Sequence, residues 1–111
     1  MDRRPRHYVL AGHNVIACTL EQWSQWFEYY WDKPERFVGR TGDDKIWIST
    51  VFLGLDHNFF GVGPPLLFET MVFHNNSGEE CIRSATWEEA EKIHKIMCLQ
   101  FLGRIGLKEV G

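Results

Sequence analysis

The pattern of apolar and polar positions divides the chain into strands and helices. Residues His7–Ala11 and 15–18 are apolar runs separated by Gly-His-Asn, which predicts a short β-hairpin. Residues 45–53 and 66–73 are dense in β-branched and aromatic side chains, which predicts the two strongest strands. Residues 36–44 contain two glycines and a charged pair, which predicts an irregular link. Two weaker segments are candidates for short strands, at residues 36–38 and 81–84.

Apolar residues that recur every three or four positions predict two amphipathic helices. The first begins after Thr19, and Gln22 stands three residues later, as in a capping box. The second begins after Thr86, with Glu89 in the same relation, and ends near Gly103. We therefore expect both helices to start at a threonine whose hydroxyl caps the first turn.

This order of elements, ββαββ(β)α, predicts an α+β domain. Its architecture is an antiparallel β-sheet of four or five strands with both α-helices packed on one face. We expect the domain to span residues 7–103, preceded by a flexible leader at 1–6 and followed by a tail at 104–111.

Size and charge narrow the class of protein. The 111 residues, 44% of them hydrophobic, suffice for one packed core and are too few for two. The net charge of −3 disfavours binding to duplex nucleic acid, which needs a basic face. The one basic cluster, Arg3, Arg4 and Arg6, precedes the first strand and is predicted to be a solvated terminus.

Cysteine usage and hydropathy favour a reducing cytoplasm. The three cysteines form no CxxC pair, which disfavours a zinc site and a disulfide framework. No apolar run approaches the length of a membrane span or a signal peptide. The histidines are scattered without ligand spacing, and His94 is expected to be a packed histidine at the edge of the core. We predict no metal, no cofactor and no membrane partner.

The segment between the two strongest strands, residues 54–65, is the best candidate for a binding site. A hairpin connection of this length is uncommon without a role. It combines hydrogen-bonding groups with residues that can stack, and glycines and prolines shape both of its ends. The predicted ligand- or partner-binding residues in it are Asp56, His57, Asn58, Phe59 and Phe60. The alternative is a structural loop whose phenylalanines fold back into the core.

Two further residues complete the predicted site. Glu69 alternates with large apolar residues in its strand, so it needs a partner, a proton or an exposed edge. A symmetric hairpin would place it near Thr50, where it would be a structural group, a ligand acceptor or a general base. Trp47 is a candidate to stack on a nucleobase, as are Trp26 and Trp31. No complete catalytic set is visible, so we expect a binding protein rather than an enzyme.

Several stretches of the chain resemble a family of short proteins encoded by bacteriophages and prophages. The resemblance covers about residues 7 to 97 and is carried by HYVLAGHNVIAC, TLEQWSQWFE, ISTVFLGLDHNF, GPPLLFETMVF and SATWEEAEKIH. It implies a phage origin and expression in the cytoplasm of a bacterial host. It implies no activity and no catalytic residues.

These expectations lead to four hypotheses of function. The first is an accessory protein that counters host defence by sequestering a small nucleotide, such as a cyclic nucleotide, or a similar ligand. The second is a protein-binding inhibitor of a host defence complex, comparable to an anti-CRISPR protein, with Phe59 and Phe60 as its anchor. The third is a small hydrolase or nuclease that uses His57 and Glu69, and the fourth is a structural component of the virion. Association with a second copy through a strand edge is compatible with each of them.

Overall fold

Residues 4–103 form six strands and two helices in the order ββαββββα. The computed structural model describes residues 4–103, so the predicted tail at 104–111 and Arg3 lie outside the described residues. The strands are β1 (His7–Ala11), β2 (Asn14–Cys18), β3 (Phe37–Gly42), β4 (Ile46–Phe52), β5 (Phe68–His74) and β6 (Ser77–Ser84). The helices are α1 (Leu20–Tyr30) and α2 (Trp87–Leu102), and one 3-10 turn, Pro34–Arg36, follows α1. The α+β class is confirmed.

The larger sheet has four antiparallel strands in the order β3-β4-β5-β6. Here the prediction of an irregular link at 36–44 was wrong, because β3 pairs with β4 along most of that segment. A bulge between Phe37 and Gly39 shifts the register and keeps Val38 and Thr41 buried. Both glycines have structural reasons: a Cβ at Gly39 would lie 3.0 Å from the imidazole of His94, and Gly42 has a φ of +128° and would put a Cβ against the backbone oxygen of Ile46.

The β4–β5 register differs by one residue from the symmetric hairpin. Thr50 pairs with Thr70, and Glu69 pairs with Val51. Successive side chains of a strand point to opposite faces, so this shift places Glu69 on the other side of the sheet from Thr50. The expectation that Glu69 falls near Thr50 was therefore wrong.

Helix α2 covers one face of the four-stranded sheet. Thr86 caps it by accepting a bond from the backbone N–H of Glu89, while the Glu89 side chain accepts from Ala85 rather than from Thr86. The predicted capping box is thus only half formed, whereas the box at Thr19 and Gln22 is complete. The αL conformation of Gly103 ends α2, as predicted.

His94 of α2 is buried on the sheet rather than at the edge of the core. Its Nδ1 lies 2.7 Å from the Thr50 hydroxyl and its Nε2 lies 3.0 Å from the Thr41 hydroxyl. The Thr50 hydroxyl also lies 2.9 Å from that of Thr70. These contacts give each buried polar group a hydrogen-bond partner inside the protein in place of water.

The β1–β2 hairpin is a separate two-stranded sheet, which corrects the expectation of a single sheet. Its turn contacts α2, where the His13 ring stacks on Trp87 at 3.8 Å. Helix α1 follows the hairpin and brings Phe27 against Phe52 of β4, on the face that α2 covers. Within residues 4–103, no helix is long and apolar enough to cross a membrane.

Candidate binding surfaces

The connection from β4 to β5, residues 53–67, is held from within by the carboxylate of Asp56. This side chain is only 3% exposed. Its Oδ1 accepts hydrogen bonds from the backbone N–H of Asn58 at 2.8 Å and of Leu66 at 2.9 Å. The two N–H groups belong to the outgoing and returning halves of the loop, so one carboxylate joins both halves. Asp56 therefore shapes the loop instead of facing solvent.

Asn58 closes the tip of the same loop. Its amide nitrogen donates to the backbone oxygens of Val62 at 2.7 Å and Pro64 at 3.0 Å. Its Oδ1 accepts from the backbone N–H of Phe60 at 3.2 Å. All three bonds stay within the loop, so the tip has a defined conformation without packing against the core.

The apolar side chains at the tip point away from the protein. Phe59, Phe60 and Val62 are 70%, 93% and 81% exposed, and we call these three residues the loop tip. A loop that folds back onto the core would bury its phenyl rings. In this loop the polar side chains form bonds inside it, and the phenyl rings are exposed. An exposed apolar group of this size on a fixed loop is a feature of interaction sites.

The segment before β1 packs on this loop. Arg4 Nε lies 3.2 Å from Asp56 Oδ2, and Arg6 exchanges hydrogen bonds with the backbone of Asp56. The Arg6 guanidinium also lies over the Phe59 ring, 5.4 Å from its centroid. Arg4 and Arg6, expected in a free leader, thus form the side of a depression of about 290 Å³ below the loop tip.

The start of the loop forms one wall of a wider groove beside α1. Gly54 and Asp56 bond to the backbone of Tyr8 and Arg6, so this stretch runs alongside β1. Leu55 and His57 then face α1 across a groove of about 730 Å³. The opposite wall is aromatic, with Trp23, Phe27 and Trp31. We call this space the α1 groove.

Arg36 is the cation in the α1 groove. Its Nε donates to the backbone oxygen of Phe52 at 3.0 Å and its Nη1 to that of Trp31 at 3.2 Å. The guanidinium stacks on the Trp31 ring, 4.5 Å from its centroid. Burial lowers the pKa of Arg36, because the charged form has lost part of its hydration.

His57 contributes a ring to the same groove. Its Nδ1 lies 2.7 Å from the backbone oxygen of Leu55, which requires a proton on Nδ1. In the neutral tautomer its Nε2 is then an acceptor. His57 and Phe59 are ring neighbours at 5.9 Å, so the α1 groove and the loop tip adjoin through this pair.

Glu69 lies on the sheet face opposite the helices, where it pairs with β6. Its Oε2 is 3.2 Å from Arg83 Nη2 and 3.5 Å from the thiol of Cys81. Burial, with the neighbouring Glu69 carboxylate second, raises the pKa of Cys81, so the thiol is a poor nucleophile. The arrangement is a half-exposed ion pair between strands.

Trp47 lies on that same open face, at the other end of the strands. Its ring stacks on Phe73 at 4.1 Å, and Arg40 lies over it at 4.2 Å. Trp47 pairs with Phe73 and Val51 pairs with Glu69, so the two predicted site residues lie four positions apart along the strands, about 13 Å. The structure brings the five loop residues together, whereas Glu69 and Trp47 occupy two places on another surface.

Sequence reasoning missed the α1 groove. Trp31 was considered for stacking on a nucleobase. The sequence spacing does not indicate that Trp31 contacts Arg36, nor that it faces the loop that begins at residue 53. The signal that could have revealed the groove is the aromatic stripe of α1, because a stripe this wide leaves some of its rings exposed when the helix packs. Within the described range 4–103, no three metal-ligating side chains come together.

Comparison with known proteins found no matching family model, no matching curated protein and no matching solved structure.

Proposed function

We propose that this chain is a bacteriophage accessory protein that acts by binding, and that it docks onto a protein of the bacterial host through the loop tip. The observation that carries the proposal is the exposure of Phe59 and Phe60, 70% and 93%, on a loop that Asp56 and Asn58 fix internally. A preorganised apolar anchor binds without the entropic cost of ordering a flexible loop. The resemblance to phage proteins supports the host as the source of the partner.

The surroundings of the loop tip indicate the chemistry of the partner. Arg6 lies beside Phe59, and no carboxylate among residues 4–103 forms an ion pair with it. A complementary surface therefore has an apolar pocket for the phenyl rings and an acidic group at its rim. Aromatic anchors in such pockets carry a large share of binding energy in protein interfaces.

Capture from a bacterial lysate with the tagged chain, compared with the double variant Phe59→Ala/Phe60→Ala, tests the proposal. The matched control is Ile96→Ala/Leu99→Ala, which removes two apolar side chains that are exposed on α2. A partner found with the wild type and with the control, and lost with the loop variant, supports loop-tip docking. The purified partner should then bind the loop variant about 30-fold more weakly or worse.

Two results would refute the proposal. One is a partner retained equally by the loop variant, and the other is the absence of any partner that the wild type enriches over the loop variant. Circular dichroism and thermal melting of each variant show whether the fold is intact. We expect it to be intact, because Phe59 and Phe60 contribute little to the core.

A further inference from the structure

The α1 groove has the features of a small-molecule site that is separate from the loop tip. Its volume of about 730 Å³ lies in the range of pockets that accept drug-sized ligands. Rings from α1 and Leu55 from the loop give it largely apolar walls, with few polar groups. Sites of this composition bind the flat, apolar part of a ligand and use the polar groups to orient it.

Trp31 is a ready stacking surface at this groove. It is 63% exposed, and it is held in place because Arg36 stacks on its ring and donates to its backbone oxygen. A large ring exposed to this extent and fixed by a cation offers its free area to a planar group. Aromatic stacking of this kind is insensitive to the identity of the ring that binds.

Arg36 supplies charge complementarity for an anion. Two backbone oxygens accept from it, yet a guanidinium has more N–H donors than those two bonds use. Within the described residues no carboxylate forms an ion pair with Arg36. The half-buried guanidinium has lost part of its hydration, and an anion placed beside it replaces the lost water contacts with charge-assisted hydrogen bonds.

The groove also limits the charge of its ligand. Among residues 4–103, Arg36 is the only lysine or arginine that lines the groove, and Glu28 is exposed in the same wall. A di- or triphosphate would set several negative charges against one guanidinium and a carboxylate. A ligand with one negative charge and a donor group for Glu28 fits this set better.

We propose that the α1 groove binds a planar aromatic monoanion, the class to which cyclic mononucleotides and aromatic carboxylic acids belong. The ring stacks against Trp31 and the apolar wall, the anionic group pairs with Arg36, and Glu28 accepts from an amine or hydroxyl of the ligand. This site differs from the predicted nucleotide pocket, since neither Glu69 nor Trp47 contributes to it.

Isothermal titration calorimetry with the full chain tests this proposal, with cyclic AMP, cyclic GMP, indole acetate, adenosine and ATP as probes. Binding of a monoanion should weaken about tenfold or more in Trp31→Ala, because that variant removes the stacking surface. Tyr29→Ala is the matched control, since Tyr29 is a similarly exposed ring, 61%, that does not line the groove. Both substitutions are at exposed positions, and melting curves check that each variant folds.

The probes separate the possible sources of the ligand. Tighter binding of a cyclic nucleotide supports a nucleotide ligand, and tighter binding of indole acetate supports an aromatic acid. In Glu28→Gln we expect ATP binding to strengthen relative to cyclic AMP, because a repelling charge is removed. The proposal is overturned if no monoanion binds at millimolar concentration, if adenosine binds as tightly as cyclic AMP, or if Trp31→Ala leaves binding unchanged.

Discussion

The carboxylate of Asp56 is the group whose removal should alter the loop most. Asp56→Ala leaves the backbone N–H groups of Asn58 and Leu66 without their acceptor, and it removes the ion-pair partner of Arg4. Both hydrogen bonds are only part-buried and Asp56 borders the depression below the loop tip, so water can replace part of the lost contacts. The expected result is a less stable protein whose loop tip is no longer held in place.

The magnitude follows from the contacts of the two oxygens. Two partly buried donors left unsatisfied cost about 1–1.5 kcal/mol each, at the lower end of the usual range because the loop can open to water. The pair with Arg4, which is 25% exposed, adds about 0.5–1 kcal/mol. Asp56→Ala should therefore lower the free energy of unfolding by about 2.5–4 kcal/mol, a large part of the total for a domain of this size.

Two variants separate the hydrogen bonds from the charge. Asp56→Asn keeps an acceptor for both N–H groups and should cost about 1 kcal/mol, as should Arg4→Ala. Urea denaturation followed by tryptophan fluorescence gives the three free energies, and hydrogen exchange at the Leu66 amide reports on the loop itself. If Asp56→Asn proves as costly as Asp56→Ala, the ion pair and not the backbone bonds holds the loop, and the reasoning above is wrong.

Two glycine substitutions test the packing around the same region. Gly54 has a φ of +70°, and a Cβ there would lie 2.5 Å from Phe27, so Gly54→Ala should lower the free energy of unfolding by about 3 kcal/mol. Gly61 has a φ of +75° but open space around it, so Gly61→Ala should lower it by only about 1 kcal/mol. Urea denaturation measures both values. Equal losses of stability in the two variants would show that backbone strain alone sets the loss and that contact with Phe27 adds nothing. Gly39→Ala should cost about 1–2 kcal/mol, because its Cβ would lie 3.0 Å from the His94 ring, and an unchanged midpoint would contradict the tight packing of β3 on α2.

The local sequence was enough to predict most helices and strands, because the residues of each element indicate its type without reference to the rest of the chain. The helix starts at Thr19 and Thr86 and the strands β4 and β5 are confirmed, since capping and β-branched density are local properties. Only the start of strand β3 was indicated, by the candidate strand at 36–38, because the glycines and the charged pair that follow are typical of a loop. Gly39 and Gly42 look like loop residues until His94 and β4 are placed against them.

The site was predictable in position but not in the roles of its residues. The length and composition of the loop indicate a special segment, yet Asp56 and Phe59 have opposite surroundings within four residues. Which residue turns inward depends on where the N–H of Leu66 and the side chain of Arg4 lie, and neither is local to Asp56. The α1 groove depends in the same way on the approach of Leu55 to α1.

The loop tip and the α1 groove share one stretch of backbone, and the way it is anchored keeps their tests separate. Gly54 bonds to Tyr8, and Asp56 bonds to Arg6 and Leu66, so the stretch is fixed before the loop reaches Phe59. Truncating the phenyl rings beyond that anchor leaves the groove wall in place, and Trp31→Ala leaves the loop bonds intact. Asp56→Ala removes the side-chain contacts but keeps these backbone bonds, so it should weaken docking through the loop tip while the α1 groove still binds its ligand.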